Sequence, residues 1–134
     1  MRLVAIYTFG DPLEGSTAVE SAVQFTNCIT LWRLALDFVQ DLELPDKQAE
    51  ELFNEILAAG RRVDPTIWVR RAVAVAKENW ENNERDAPST FVITGFVNPK
   101  EADLMASMFS APVYHMDHTQ ADFAKRVQEI IEHV

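Results

Sequence analysis

The sequence predicts an α/β fold: a small, mostly parallel sheet of three or four strands flanked by helices, in a single domain over residues 1–134. Three observations carry this expectation. Short apolar runs at 3–8, 91–95 and 112–116 have the length of buried strands. Between them lie segments whose apolar residues recur at helical spacing. Strands that alternate with helices along the chain pair in parallel, because each crossover returns the chain to the same edge.

Residues 3–8 read as the first strand, ended by Gly10-Asp11-Pro12. A helix is expected over 17–28, opened by Thr17-Ala18-Val19-Glu20, which has the S/T-x-x-E form of a capping box. Leu31, Leu34, Ala35, Phe38, Val39 and Leu42 then fall on one helix face. Trp32 and Leu36 lie off that face, as either a second buried contact or an apolar patch for a partner. Pro45 suits the start of the next helix, with Ala49, Leu52, Phe53, Ile56 and Leu57 inward and Gly60 as its stop.

Asp64 is a good N-cap, with Pro65 at the first helical position. Val69, Ala72, Val73, Ala76 and Trp80 continue that helix inward, while Arg70 and Arg71 leave its other side. The polar run 81–88 ends it in a loop. After the strand at 91–95, Asn98 caps a helix and Glu101 reaches back from its third position. After the strand at 112–116, Thr119-Gln120-Ala121-Asp122 opens the last helix, with Phe123, Val127, Ile130, Ile131 and Val134 inward.

Composition bounds the function. The 134 residues suffice for one core, and 48% are hydrophobic, which argues against disorder. The formal net charge of −9 disfavours general nucleic-acid binding, because phosphates need neutralising cations. It is compatible with a basic protein partner. The lone Cys28 can form no internal disulfide, which suits a reducing cytoplasmic setting. No apolar stretch is long enough to span a membrane.

The segment Gly10-Asp11-Pro12-Leu13-Glu14-Gly15-Ser16-Thr17 has the spacing of a phosphate-binding P-loop, with Ser16 where the lysine belongs. Gly10, Gly15, Ser16 and Thr17 are thus a degenerate P-loop. Ser16 brings no charge, and Pro12 removes an N–H donor. Asp11 and Glu14 place carboxylates where a triphosphate would lie. Like charges about 4 Å apart repel by about 4 kcal/mol at an effective dielectric of about 20. A plain capped turn explains the same residues without any ligand. His115, Asp117 and His118 carry metal-ligand chemistry, but their spacing on a strand end does not favour one shared site. Cys28 has no cation close in sequence to activate it, and Ser16 lacks a G-x-S-x-G elbow.

Asp64-Pro65-Thr66-Ile67-Trp68-Val69-Arg70-Arg71 resembles the "DPxIWVRR" helix start of the phage-type deoxynucleoside monophosphate kinases. Residues 92–104, from Val92-Ile93-Thr94-Gly95 through Asn98-Pro99-Lys100-Glu101-Ala102-Asp103-Leu104, resemble that family's "VITDVRFPNEADL". The P-loop-like segment and the helix at 51–57 followed by Gly60-Arg61-Arg62 stand in the matching order. The resemblance implies a P-loop kinase-like fold and a phosphate-facing role for Arg61, Arg62, Arg70 and Arg71. The departures fall on chemistry: Ser16 replaces the lysine, Gly95 the strand-end aspartate and Val97 the following arginine. Phosphoryl transfer depends on such charge around the γ-phosphate.

The expected function is therefore non-catalytic, with no catalytic residues, no metal and no cofactor. The chain would bind a protein partner, of a host if it is viral, and inhibit or redirect it through its acidic surface or the Trp32/Leu36 patch. Self-association into a homo-oligomer is also allowed. Two alternatives stand beside this. One is an active kinase using ATP and magnesium, with Arg61, Arg62, Arg70 or Lys100 as substitute cations. The other is a nucleotide-binding sensor without turnover.

Overall fold

A computed structural model of the chain describes residues 1–23, 27–82 and 90–133. Four strands, β1 (Arg2–Thr8), β2 (Asn27–Thr30), β3 (Thr90–Thr94) and β4 (Val113–Met116), form one parallel sheet in the order β2-β3-β1-β4. Among the described residues six helices flank it: α1 (Pro12–Val23), α2 (Leu31–Gln40), α3 (Asp46–Val63), α4 (Ile67–Asn82), α5 (Pro99–Phe109) and α6 (Phe123–His133). The α/β class with a small parallel sheet is as the sequence predicts.

Alternation along β1 divides the core. Val4 and Ile6 pack with Val92 of β3 beneath α1 and α6, where Val19, Val23, Phe123 and Val127 close the layer. Ala5 and Tyr7 face the other way, with Ile29, Phe91 and Ile93, under residues of α2, α4 and α5. Both faces of the sheet are covered, so its central strands are apolar on both sides rather than alternating with polar residues.

Four local expectations are corrected. The helix placed over 17–28 runs from Pro12 to Val23, and Asn27–Thr30 is the fourth strand. Residues 24–26 lie outside the described residues. Gly60 does not stop α3, which continues to Val63. A Cβ on Gly60 would come within 3.2 Å of Trp68 Nε1, so this glycine lets α3 and α4 approach. Phe38, Leu42 and Trp80, assigned inward, are exposed, while Leu31, Ala35 and Val39 carry the buried face of α2. Most of the polar run at 81–88 falls at 83–88, outside the described residues, and α4 includes Glu81 and Asn82.

The caps follow local chemistry. Asp64 and Pro65 do not open α4 directly as expected: Asp64 Oδ1 accepts from the Thr66 N–H at 2.9 Å in a turn, and the helix starts at Ile67. Asn98 Oδ1 accepts from the Glu101 N–H at 2.9 Å, with Pro99 in the first turn of α5. Among the described residues, no helix is long and apolar enough to cross a membrane.

Candidate functional site

Topology opens a crevice at the carboxyl edge of the sheet. β1 leads through α1 to β2 on one side, and β3 leads through α5 to β4 on the other. The loops after these neighbouring strands therefore diverge, which is where open α/β sheets bind ligands. The cavity there holds about 230 Å³. Asp11, Pro12 and Leu13 form one lip, and Gly95 and Val97 the other. Trp32, Phe53 and Leu57 supply apolar wall, with Asn54 and Arg61 as polar groups.

The lip after β1 is a short turn rather than a phosphate loop. Gly10 takes a φ of +89°, and α1 begins already at Pro12. Gly15, Ser16 and Thr17 consequently sit inside the helix. Asp11 caps it: Oδ1 accepts from the Leu13 N–H at 2.9 Å, and its carbonyl accepts from the Gly15 N–H at 3.0 Å. Thr17 does not cap, since its hydroxyl donates to the Leu13 carbonyl at 2.8 Å one turn back. Asp11 takes that role because Pro12 is preorganised for the first helical position. Glu20 pairs instead with Arg33, at 2.9 Å to Nη2.

This turn leaves little for an anion. Pro12 has no N–H, the Leu13 and Gly15 donors are occupied, and a carboxylate already stands at the helix N-terminus. Gly15 serves packing: a Cβ there would lie 1.8 Å from Thr8 Oγ1. Ser16 is 0% exposed. Its hydroxyl oxygen accepts from Trp32 Nε1 at 2.7 Å and its proton is directed at the Leu13 carbonyl, 3.2 Å away.

The second lip is constrained by its backbone. Gly95 has a φ of +84°, and a Cβ there would stand 2.8 Å from Thr30 Cγ2 and 3.1 Å from the Leu31 nitrogen. An aspartate at this position would collide with the start of α2. Val97 is half exposed, and its N–H donates to Glu101 Oε1 at 2.9 Å.

The four arginines do not converge. Arg61 Nε and Nη2 donate to the two oxygens of Glu101 at 2.7 and 3.0 Å. Arg62 and Arg70 are exposed, and Arg71 lies 3.8 Å from Glu78. Trp32 and Leu36 are half-buried beside residues of α3: Trp32 with Phe53 and Leu57, Leu36 with Ala49 and Phe53.

The polar residues at the end of β4 and just after it also part company. His115 Nε2 stands 3.6 Å from Asp103, and its ring packs edgewise on Tyr7. Asp117 accepts from the Thr119 hydroxyl and N–H, which hold its carboxyl below the usual carboxylate range. His118 Nε2 is 4.0 Å from Glu14. Burial, then the Glu20 charge, push the Cys28 thiol up to about 12.

No protein-family model, no curated protein and no solved structure matches this chain. The kinase resemblance rests on its motifs alone. Sequence reasoning assigned Phe53 and Leu57 to a helix core and missed their place in the crevice wall. Their four-residue spacing with Arg61 is the signal that groups them.

Proposed function

We propose that the chain is a non-catalytic protein, similar to the phage-type nucleotide kinases, that works by binding a protein partner and inhibiting or redirecting it. Ser16 carries this reading. The position of the P-loop lysine is a buried hydroxyl engaged by Trp32, so the hydrogen bond replaces the charge that a γ-phosphate needs. The steric closure at Gly95 and the engagement of Arg61 by Glu101 support it further.

Calorimetric titration with ATP and magnesium, alongside a coupled assay with each deoxynucleoside monophosphate, tests the reading. The expected result is neither heat of binding nor turnover. Turnover lost on Arg61→Ala or Arg62→Ala would overturn it in favour of an active kinase.

The crevice favours a second reading, a nucleotide-binding sensor, because it lies at the switch point and offers Trp32 beside Asn54 and Arg61. A ligand at about 100 times its Kd would add about 2.7 kcal/mol of stability. No thermal shift at millimolar nucleotide removes this reading.

A further inference from the structure

α3 is amphipathic over 18 residues, yet none of its residues is buried. Ala49, Leu52, Phe53, Ile56 and Leu57 are partly covered, none of them fully. A groove of about 580 Å³ runs between α2, α3 and α4, floored by Leu34, Ile56, Trp68 and Val75. Phe38 stands on its lip at 56% exposure, with Leu42 one turn further at 48%. Asp37 of α2 and Asp41, the cap at its C-terminus, line the groove together with Arg71. A second groove of about 380 Å³ flanks α2 and α3, and there Glu43, Asp46 and Glu50 line the edge. The α2–α3–α4 groove thus carries two carboxylates against one guanidinium, and the neighbouring groove adds three more carboxylates.

We infer that the α2–α3–α4 groove is the docking surface for an amphipathic helix of a partner protein, with apolar anchors flanked by lysine or arginine. This rests on the partner-binding reading and names its surface. A helix laid in a groove needs an apolar floor for residues at i, i+4 and i+7, which Leu34, Ile56, Trp68 and Val75 provide. The carboxylate rim selects the sign of the flanking charge and rejects acidic sequences.

A displayed library of helical peptides, panned against the intact chain, tests this. Selected sequences should carry apolar residues at helical spacing flanked by lysine or arginine. Their affinity should fall about tenfold or more on Phe38→Asp, an exposed site where the fold tolerates the change. Asp37→Lys combined with Asp41→Lys should weaken the same peptides and allow acidic ones to bind. Selection of no helical peptides, or of peptides without basic bias, would overturn the proposal. So would a concentration-dependent dimer in sedimentation that Phe38→Asp abolishes, which would make the occupant a second copy. A protein partner held equally by wild type and Phe38→Asp would overturn the groove while leaving the partner-binding reading intact.

Discussion

The indole N–H of Trp32 donates to the hydroxyl oxygen of Ser16 over 2.7 Å, tying the first turn of α2 to the beginning of α1. Restoring a lysine by Ser16→Lys should therefore not restore a kinase. It would place an ammonium where the native side chain is fully buried and strip the indole of its acceptor. The expected loss is about 3 kcal/mol, in the range for an uncompensated buried charge. Ser16→Ala, which only orphans the donor, should cost about 1–2 kcal/mol. Urea unfolding measures both, and calorimetry should find no ATP binding in either variant.

Arg61 and Glu101 join the end of α3 to the start of α5, with only 4% of the Glu101 side chain exposed. Arg61→Ala should cost about 3 kcal/mol, because it leaves that carboxylate without its cation. Arg62→Ala and Arg70→Ala should stay within about 0.5 kcal/mol of wild type. A double-mutant cycle with Glu101→Gln should return a coupling above about 1 kcal/mol. Equal effects at Arg61 and Arg62 would instead point to a shared anion site.

Gly15→Ala should destabilise by about 2–3 kcal/mol through overpacking against Thr8. Adding Thr8→Ala should recover part of the loss. It removes the Oγ1 that a Cβ would meet at 1.8 Å but keeps the Thr8 Cβ at 2.6 Å. Thermal melts of the single and double variants check this. Unchanged stability on Gly15→Ala would overturn the packing role given to this glycine.

Cys28 sets an alkaline limit. Its folded pKa of about 12 is above the ordinary value of 9.0, so the folded state retains a proton that the unfolded state gives up. Its contribution is fully present below pH 9.0 and is lost as pH rises toward 12. Stability should fall by about 1 kcal/mol per pH unit over that window from this residue. Cys28→Val should flatten the difference, read by urea unfolding at a series of pH values. The native thiol should also react slowly with a disulfide reagent at pH 8, and rapidly once the chain is unfolded.

The strands at the centre of the sheet were legible because burial on both faces makes them apolar runs. β2 was not: Asn27-Cys28-Ile29-Thr30 is short, stands at the sheet edge and meets α2 without a turn residue between them. The Asn98 cap was readable because its partner Glu101 is three residues away. The Arg61–Glu101 pair was not, since 40 residues separate its members and only the fold brings them together. Gly10-Asp11-Pro12 punctuates the chain as expected, but composition alone did not say that the helix starts inside the motif. Gly60 misled for a related reason: a stop signal and a close-approach glycine look the same in sequence.

A helix with no fully buried residue has a consequence for motion. Amides in the middle of α3 should exchange with solvent through local opening, at a lower free energy than those of β1 and β3, whose exchange needs global unfolding. α3 is thus the segment whose breathing a bound partner would quench most.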